Sequence, residues 1–245
     1  TLFGDLAVSI LDELPAGRQK IITRKVDVHT IPKVYGFIED ELKAGRQAFV
    51  VYPLIEESEK IDLEAATEGF EKLQHRFKNF KAALLHGRMG ADEKDSIMQA
   101  FSRNEIQLLV STTVIEVGID IPNATVMMIE NAERFGLAQL HQLRGRIGRG
   151  EHRGVCVLVH RKLSPDSLDR LNIMVETIDG FKIAEEDLRL RGAGDIFGTR
   201  QSGLPALKIA NILYDGAILK EARKAAFKLI QADPHLRKTG HDTIR

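Results

Sequence analysis

The sequence has little of what several protein classes require. It contains one cysteine, Cys156, so no disulfide framework can form, which is typical of a reducing compartment. Cys156 lies inside the apolar run 155–159, and this position predicts a buried thiol. No apolar run approaches the length that crosses a bilayer, and no basic-then-apolar leader is present. These absences predict a cytoplasmic protein without a membrane partner.

An excess of one charge and a phosphate-binding loop are also missing. Lys plus Arg and Asp plus Glu number 35 each, so a nucleic-acid surface would have to come from local segregation of charge. No loop of the form G-x-x-x-x-G-K-[ST] occurs, so the acidic pair Asp12-Glu13 is discounted, and no metal site is expected in this chain. The start on Thr1 without an initiator methionine predicts a piece of a longer protein.

From residue 21 onward, apolar β-branched runs alternate with segments of helical period. This alternation predicts an α/β fold with a mostly parallel sheet and helices on both faces. The predicted strands are 21–28, 47–54, 81–86, 107–112, 125–130 and 154–160, and the predicted helices between them are 33–44, 63–77, 91–101 and 136–147.

After residue 161 the strand-like runs stop and two helical stripes follow, separated by Gly180. Their pattern predicts an αα-hairpin. The next segment, 191–203, is rich in glycine and carries arginine and glutamine, which favours a functional loop. Helical periodicity returns over 206–232.

Two segments place polar residues where predicted strands end. His86-Gly87 closes one strand just before a helix, so backbone amides and a helix N-terminus can face a phosphate. Thr112 closes another, and Gly118 and Asp120 follow it. The hydroxyl can hold a nucleic-acid phosphate while Gly118 and Asp120 border a nucleotide. Alternatively, the hydroxyls cap a short turn and Asp120 forms an Asx turn.

A third segment, 142–149, ends a predicted helix with three arginines set between glycines. Helical spacing would place Arg146 and Arg149 on one face, where the guanidiniums repel each other unless an anion lies nearby. Phosphate suits them because a guanidinium matches two oxygens at once, although a solvated basic helix end is the plainer interpretation. The three segments follow different strands, so we expect them to converge on one edge of the sheet.

Together these motifs resemble the second RecA-like lobe of superfamily 2 helicases. Residues 85–89 are similar to motif IVa, 112–120 to motif V and 142–149 to motif VI, with its Q-x-x-G-R-x-x-R pattern. Residues 135–141 and the loop 191–203 resemble the RecG family and its relative Mfd, while 52–58 and Arg88 look like RecG. The implied fold is a RecA-like helicase lobe 2 followed by an all-α hairpin and C-terminal helices. The corresponding domains are 1–163 and 164–245, the second resembling the TRG motif.

The resemblance implies a role for each matching residue. Arg146 and Arg149 would be catalytic, reaching across a cleft to the ATP phosphates. Gln142, Gly118 and Asp120 would border the same nucleotide. The residues that the resemblance assigns to nucleic-acid binding are His86, Gly87, Thr112, Arg191 and Gln201.

The resemblance also implies groups that these 245 residues lack. In the family, a first RecA-like lobe carries the Walker A lysine and the DExH acidic pair, which hold most of ATP and Mg²⁺, and a wedge domain binds branched DNA. The chain alone is therefore expected to lack ATPase activity.

The whole protein is expected to be a monomeric ATP-dependent double-strand DNA translocase or helicase. It would remodel stalled forks and Holliday junctions in DNA recombination and repair. An Mfd-like transcription-repair coupling translocase and a non-catalytic nucleic-acid-binding scaffold are the alternatives.

Overall fold

Six strands form one parallel sheet in a computed structural model that describes residues 19–54, 59–112, 120–191 and 216–237. The strands are β1 (Ile22–Asp27), β2 (Gln47–Tyr52), β3 (Ala82–Leu85), β4 (Leu108–Thr112), β5 (Ala124–Ile129) and β6 (Val155–His160). Their order across the sheet is β1-β6-β5-β2-β4-β3, and every pairing is parallel. Strand β2 therefore lies inside the sheet, between β5 and β4.

Seven α-helices are present in the described part of the chain. They are α1 (Ile31–Lys43), α2 (Glu59–Arg76), α3 (Ala91–Ser102), α4 (Leu137–Arg144), α5 (Pro165–Glu176), α6 (Gly180–Arg191) and α7 (Gly216–Ala232). Local sequence explains several of their ends. The Ser164 hydroxyl accepts a hydrogen bond from the Ser167 N–H at 3.2 Å and caps α5 ahead of Pro165. Gly45, with a φ of 79°, ends the α1 region in the left-handed conformation that favours glycine.

The sheet separates two apolar cores because successive strand residues point to opposite faces. Ala48 and Val50 of β2 pack with α1 and α2 on one face. Phe49 and Val51 belong to the other core, which also contains residues of α3, α4, α5 and α6. Cys156 lies in this second core, and burial raises the pKa of its thiol to about 12. The predicted buried cysteine is confirmed.

The chain divides into two compact units. One, Leu14–Leu190, contains the sheet and α1 to α5 together with nearly all of α6. The other consists of Thr1–Glu13 and Arg191–Arg245 and contains α7. No helix in the described ranges combines the length and apolar character that crossing a membrane would require.

The predicted α/β class is confirmed, with all six strands and the four helices between them. The main difference concerns α4, which was predicted to reach residue 147 but ends at Arg144. Gly145 caps the helix by donating its N–H to the His141 carbonyl oxygen at 3.0 Å, and the left-handed Gly148 turns the chain away. The predicted hairpin helices are α5 and α6, and the described part of 206–232 is helical from Gly216.

Candidate functional site

Residues 145–150, which we call the arginine loop, are held against the sheet at two glycines. The Gly148 N–H donates to the Ala124 carbonyl oxygen at 3.1 Å, and its φ of 64° is unfavourable for residues with a side chain. A Cβ on Gly150 would lie 2.5 Å from the Pro122 carbonyl oxygen. The path of the loop therefore depends on glycine at both positions.

Gly150→Ala is expected to lower the free energy of unfolding by about 1–3 kcal/mol, because the new methyl group overlaps the Pro122 backbone. Gly36→Ala is the matched control. Gly36 lies in α1 with open space around its Cβ position, so alanine there should raise the free energy by about 0.5–1 kcal/mol. Urea unfolding of both variants measures the difference. Equal stabilisation by both substitutions would show that the loop tolerates a side chain at Gly150.

Arg149 forms an ion pair with Asp120. Its Nη1 lies 3.3 Å from Asp120 Oδ1, and its Nε donates to the Gly145 carbonyl oxygen at 2.9 Å. The two side chains are 32% and 57% exposed, so the pair is accessible to solvent. Arg146 is partly exposed in the turn after α4, and Gln142 is exposed on that helix. Asp120 thus supplies an anion for Arg149, at a position where a phosphate oxygen would compete with it.

The positions of Arg146 and Arg149 differ from the predicted ones. Since α4 ends at Arg144, Arg146 lies in a turn and Arg149 lies beyond the left-handed Gly148. They do not project from one helical face, and the expectation based on helical spacing is wrong. The glycines of the arginine loop, rather than a helix, position them.

The third arginine of the segment, Arg144, is buried and bound to protein groups. It is 2% exposed, and its Nη1 donates to the carbonyl oxygens of Met174 and Thr177, each at 2.8 Å. Its Nη2 lies 3.1 Å from His141 Nδ1. Sequence reasoning assigned the phosphate role to Arg146 and Arg149 and gave Arg144 no role. The available signal was its spacing of four residues from Leu140, which places it on the apolar side of α4.

The arginine loop lies at the amino ends of the strands. Gly148 is hydrogen-bonded to the first residue of β5, and Asp120 lies four residues before that strand. His86 and Thr112 lie at the opposite edge, where β3 and β4 end. A strand of six residues spans about 20 Å, so the expected convergence of all three segments on one edge is wrong. The helix that follows β5 carries the chain back across the sheet before the arginines occur.

Polar atoms lacking partners lie at the carboxyl ends of β3 and β4. Within the described part of the chain, His86 Nδ1, Ser111 Oγ and Thr112 Oγ1 are buried and have no hydrogen-bond partner. Such atoms cost about 1–3 kcal/mol each, which a ligand or a conformational change can recover. Gly87 is exposed, and its carbonyl oxygen accepts a hydrogen bond from Lys94 Nζ at 2.8 Å. Thr112 is fully buried, so direct contact with DNA requires its hydroxyl to become accessible, and its role stays a prediction.

Charged residues at the carboxyl ends of β5 and β6 were not predicted. Glu130 is 3% exposed, and Arg161 Nη1 lies 3.3 Å from its Oε2. Burial raises the pKa of the Glu130 carboxyl, and the Arg161 guanidinium opposes this rise. Arg170 of α5 donates to the Glu133 carbonyl oxygen at 3.0 Å. The signal was present in the sequence, because Glu130 and Arg161 each follow an apolar strand directly.

The structure gives no side-chain position for three predicted site residues. Gly118 and Gln201 lie outside the described residues, and Arg191 is described only as the last residue of α6. Across the described ranges, no group of three or more His, Cys, Asp or Glu side chains is arranged to hold a metal ion.

Two families match consecutive parts of the chain. Residues 30–151 match the helicase conserved C-terminal domain, and residues 177–244 match domain 3, C-terminal, of the ATP-dependent DNA helicase RecG. The chain is 46% identical over its whole length to the ATP-dependent DNA helicase RecG of Bacillus subtilis, covering 36% of that protein. It is 54% identical over 92% of its length to the RecG of Streptococcus pneumoniae, covering 34% of it. The chain thus spans about a third of these relatives.

Solved structures give the same result. The structure of RecG bound to a three-way DNA junction is 45% identical, with a TM-score of 0.67, over 85% of this chain and 27% of that one. Domain 2 of the Mss116p DEAD-box helicase, bound to an RNA duplex, is 16% identical with a TM-score of 0.50, over 86% of this chain and 78% of that one. This second likeness shows the fold alone, that of a RecA-like helicase lobe 2. With RecG relatives matching it from end to end and a RecG domain matching its last third, the chain belongs to the RecG family and corresponds to the C-terminal part of its members.

Proposed function

We propose that this chain is the second motor lobe, with its attached hairpin, of an ATP-dependent helicase that remodels branched double-stranded DNA. The observation that carries the proposal is the exposed Arg149–Asp120 ion pair at 3.3 Å, an anion-binding guanidinium on the edge of the lobe. RecG relatives are named ATP-dependent DNA helicases, and one solved RecG is bound to a three-way DNA junction. In the whole protein, the substrates would be stalled forks and Holliday junctions in DNA recombination and repair.

The residues at the amino edge fit half of an ATP site. Arg146 and Arg149 supply the cationic groups, and the carboxylate of Asp120 beside Arg149 shows that an anionic oxygen is accommodated there. Guanidiniums in this position stabilise the charge that develops on a transferring phosphoryl group. Gln142, Gly118 and Asp120 are proposed to border the nucleotide. ATP and Mg²⁺ would be held mainly by a first RecA-like lobe outside these 245 residues.

The opposite edge is proposed to face nucleic acid. His86, Gly87 and Thr112 lie at the carboxyl ends of β3 and β4, and two of them carry buried polar atoms without partners in the described part of the chain. Arg191, the last residue of α6, and Gln201, which follows it in sequence, are also proposed to contact DNA. Binding would be mainly to phosphates, and therefore sensitive to salt and indifferent to sequence.

The chain would consist of a RecA-like lobe, 1–163, and a hairpin element, 164–245. The nucleotide-binding lobe and a wedge domain for branched DNA would belong to the same polypeptide, and the protein would act as a monomer. Separate edges for nucleotide and DNA suit a motor, because closure around ATP at one edge moves the other edge.

The test compares the purified 245-residue chain with the full-length protein on junction DNA. The full-length protein is expected to hydrolyse ATP and to separate the strands. The 245-residue chain is expected to show no DNA-stimulated hydrolysis, because it has neither the phosphate-binding lysine loop nor the paired carboxylates for magnesium. Robust hydrolysis by the short chain would contradict the shared ATP site. A full-length protein that binds junctions without turning over ATP would indicate a scaffold instead.

A further inference from the structure

Arg161 is an exposed cation at the carboxyl edge of the sheet. It directly follows β6, and its side chain is 47% exposed. The next residue, Lys162, is exposed as well. In the strand order β6 lies four positions from β3, the strand that ends just before His86. At about 4.8 Å per strand, Arg161 and His86 are about 19 Å apart along the edge that is proposed to face DNA.

The protein uses only one nitrogen of the Arg161 guanidinium. Nη1 lies 3.3 Å from Glu130 Oε2 and 3.0 Å from Asn131 Oδ1. Within the described ranges, Nε and Nη2 have no protein partner. These two nitrogens form one side of the guanidinium fork, the side that can match two phosphate oxygens at once. Arg161 can therefore bind a phosphate at the surface of the edge.

Arg134, on the same edge after β5, is held in a different way. Its Nη1 and Nη2 donate to the two carboxylate oxygens of Asp62 at 2.7 and 3.2 Å. Asp62 is 4% exposed, so this paired contact is largely shielded from solvent. A phosphate would have to displace both hydrogen bonds of Arg134, whereas Arg161 has two donors in reserve.

Glu130 restrains the Arg161 guanidinium from a buried position. It is 3% exposed, and burial raises the pKa of its carboxyl while Arg161 opposes the rise. In the described part of the chain, the other titratable groups facing it are Tyr35, Tyr52 and Glu133, and burial together with the charge of Glu130 raises the pKa of both phenols. None of these three is a cation. These surroundings favour the neutral form of Glu130, so a neutral side chain is tolerated at its position.

We propose that Arg161 is a DNA-phosphate contact that Glu130 restrains when DNA is absent. The inference rests on the proposed function, because it requires DNA at the carboxyl edge. It extends the DNA surface from the ends of β3 and β4 across the sheet to the end of β6. With one phosphate per 3.4 Å along each strand, an edge of about 19 Å spans about six phosphates.

The test measures binding of the full-length protein to a synthetic three-way DNA junction, without ATP, over a range of salt concentrations. Arg161→Ala is expected to weaken binding about tenfold at low salt and to lower the slope of log Kd against log salt by about 0.9, the value for one phosphate contact. Arg103→Ala is the matched control. Arg103 is also exposed and paired, with its Nε 2.6 Å from Glu105 Oε1, but it lies between α3 and β4 at the amino edge, so both quantities should be unchanged.

Glu130→Gln is expected to have the opposite effect. The neutral amide holds the guanidinium less strongly than a carboxylate does, so junction binding should tighten about twofold to threefold. The double variant Arg161→Ala/Glu130→Gln leaves no buried carboxylate without its cation, and it should bind like Arg161→Ala, because Glu130 acts only through Arg161. If Glu130→Gln and Arg161→Ala both weaken binding, and both lower the stability of the 245-residue chain to urea, the pair is structural and the proposal is overturned.

The salt slope separates this site from the motor. An unchanged slope in Arg161→Ala and in the double variant would overturn the phosphate contact, even in a protein that hydrolyses ATP and separates strands. A slope lowered in both variants, with no ATP turnover by the full-length parent, would retain the contact and reject the motor.

Discussion

Arg149→Ala in the full-length protein is expected to lower ATP hydrolysis by about 10³- to 10⁵-fold, the range for loss of an arginine that stabilises phosphoryl transfer. The reason is geometric. Arg149 extends from a glycine-bounded loop, is accessible to solvent, and is held by one carbonyl oxygen and one carboxylate that a phosphate oxygen can replace. Steady-state ATP turnover on junction DNA measures the effect. Junction binding should be largely retained, because His86, Gly87 and Thr112, which are proposed to contact DNA, lie at the opposite edge of the sheet.

Arg153→Ala is the control for this prediction, since it removes another exposed arginine only four residues away. Its turnover should match that of the parent. If Arg149→Ala hydrolyses ATP at the normal rate, the proposed cross-lobe role is wrong. If both variants lose junction binding to the same extent, the arginines form a nucleic-acid surface and not a nucleotide site.

Phe49→Ala is expected to lower the free energy of unfolding of the sheet unit by about 3–5 kcal/mol, as for other large core truncations. Phe49 is 1% exposed on β2, inside the sheet, and its ring centroid lies 4.9 Å from that of Phe101. Alanine leaves a cavity that flanking strands are too constrained to fill. Chemical denaturation of the 245-residue chain, followed by circular dichroism, measures the loss.

Phe181→Ala is the matched control, because Phe181 lies in the same compact unit and is 59% exposed. Its truncation should change the free energy by only about 0.5 kcal/mol, as is usual for surface substitutions. Equal losses in the two variants would mean that Phe49 does not belong to the cooperative core.

The fold was predictable because its signals are local. The inner strands carry apolar runs, as in Val155 to Val159 of β6, whereas the edge strand β1 has only Ile22 and Val26; each intervening helix has a stripe of helical period. The positions of single side chains were less predictable. Arg144 and Arg149 are chemically identical and five residues apart, yet one is buried on backbone carbonyls and the other is exposed beside Asp120.

The edge of the sheet on which each candidate lies also depended on the tertiary structure. His86 and Thr112 close their strands, so their place at the carboxyl edge follows from the sequence. The arginine segment follows a strand and a helix, and the helix runs back to the amino edge before Arg146 and Arg149 occur. Sequence position alone did not predict that α4 returns the chain to the amino edge. The point where α4 ends depends on Gly145, and the path of the chain after it depends on the hydrogen bond between Gly148 and Ala124.

The sequence by itself determined the α/β class, since apolar periodicity is a local signal, and its motifs carried the resemblance that the comparisons later confirmed as a family. Only the tertiary structure decided that Arg149 and Asp120 lie at the opposite edge of the sheet from His86 and Thr112, and that Arg144 is buried against backbone carbonyls. The physical reason is that burial and hydrogen-bond partners are set by residues far apart in the chain. Arg144 meets Met174 and Thr177 across thirty or more positions, and no local pattern encodes that distance.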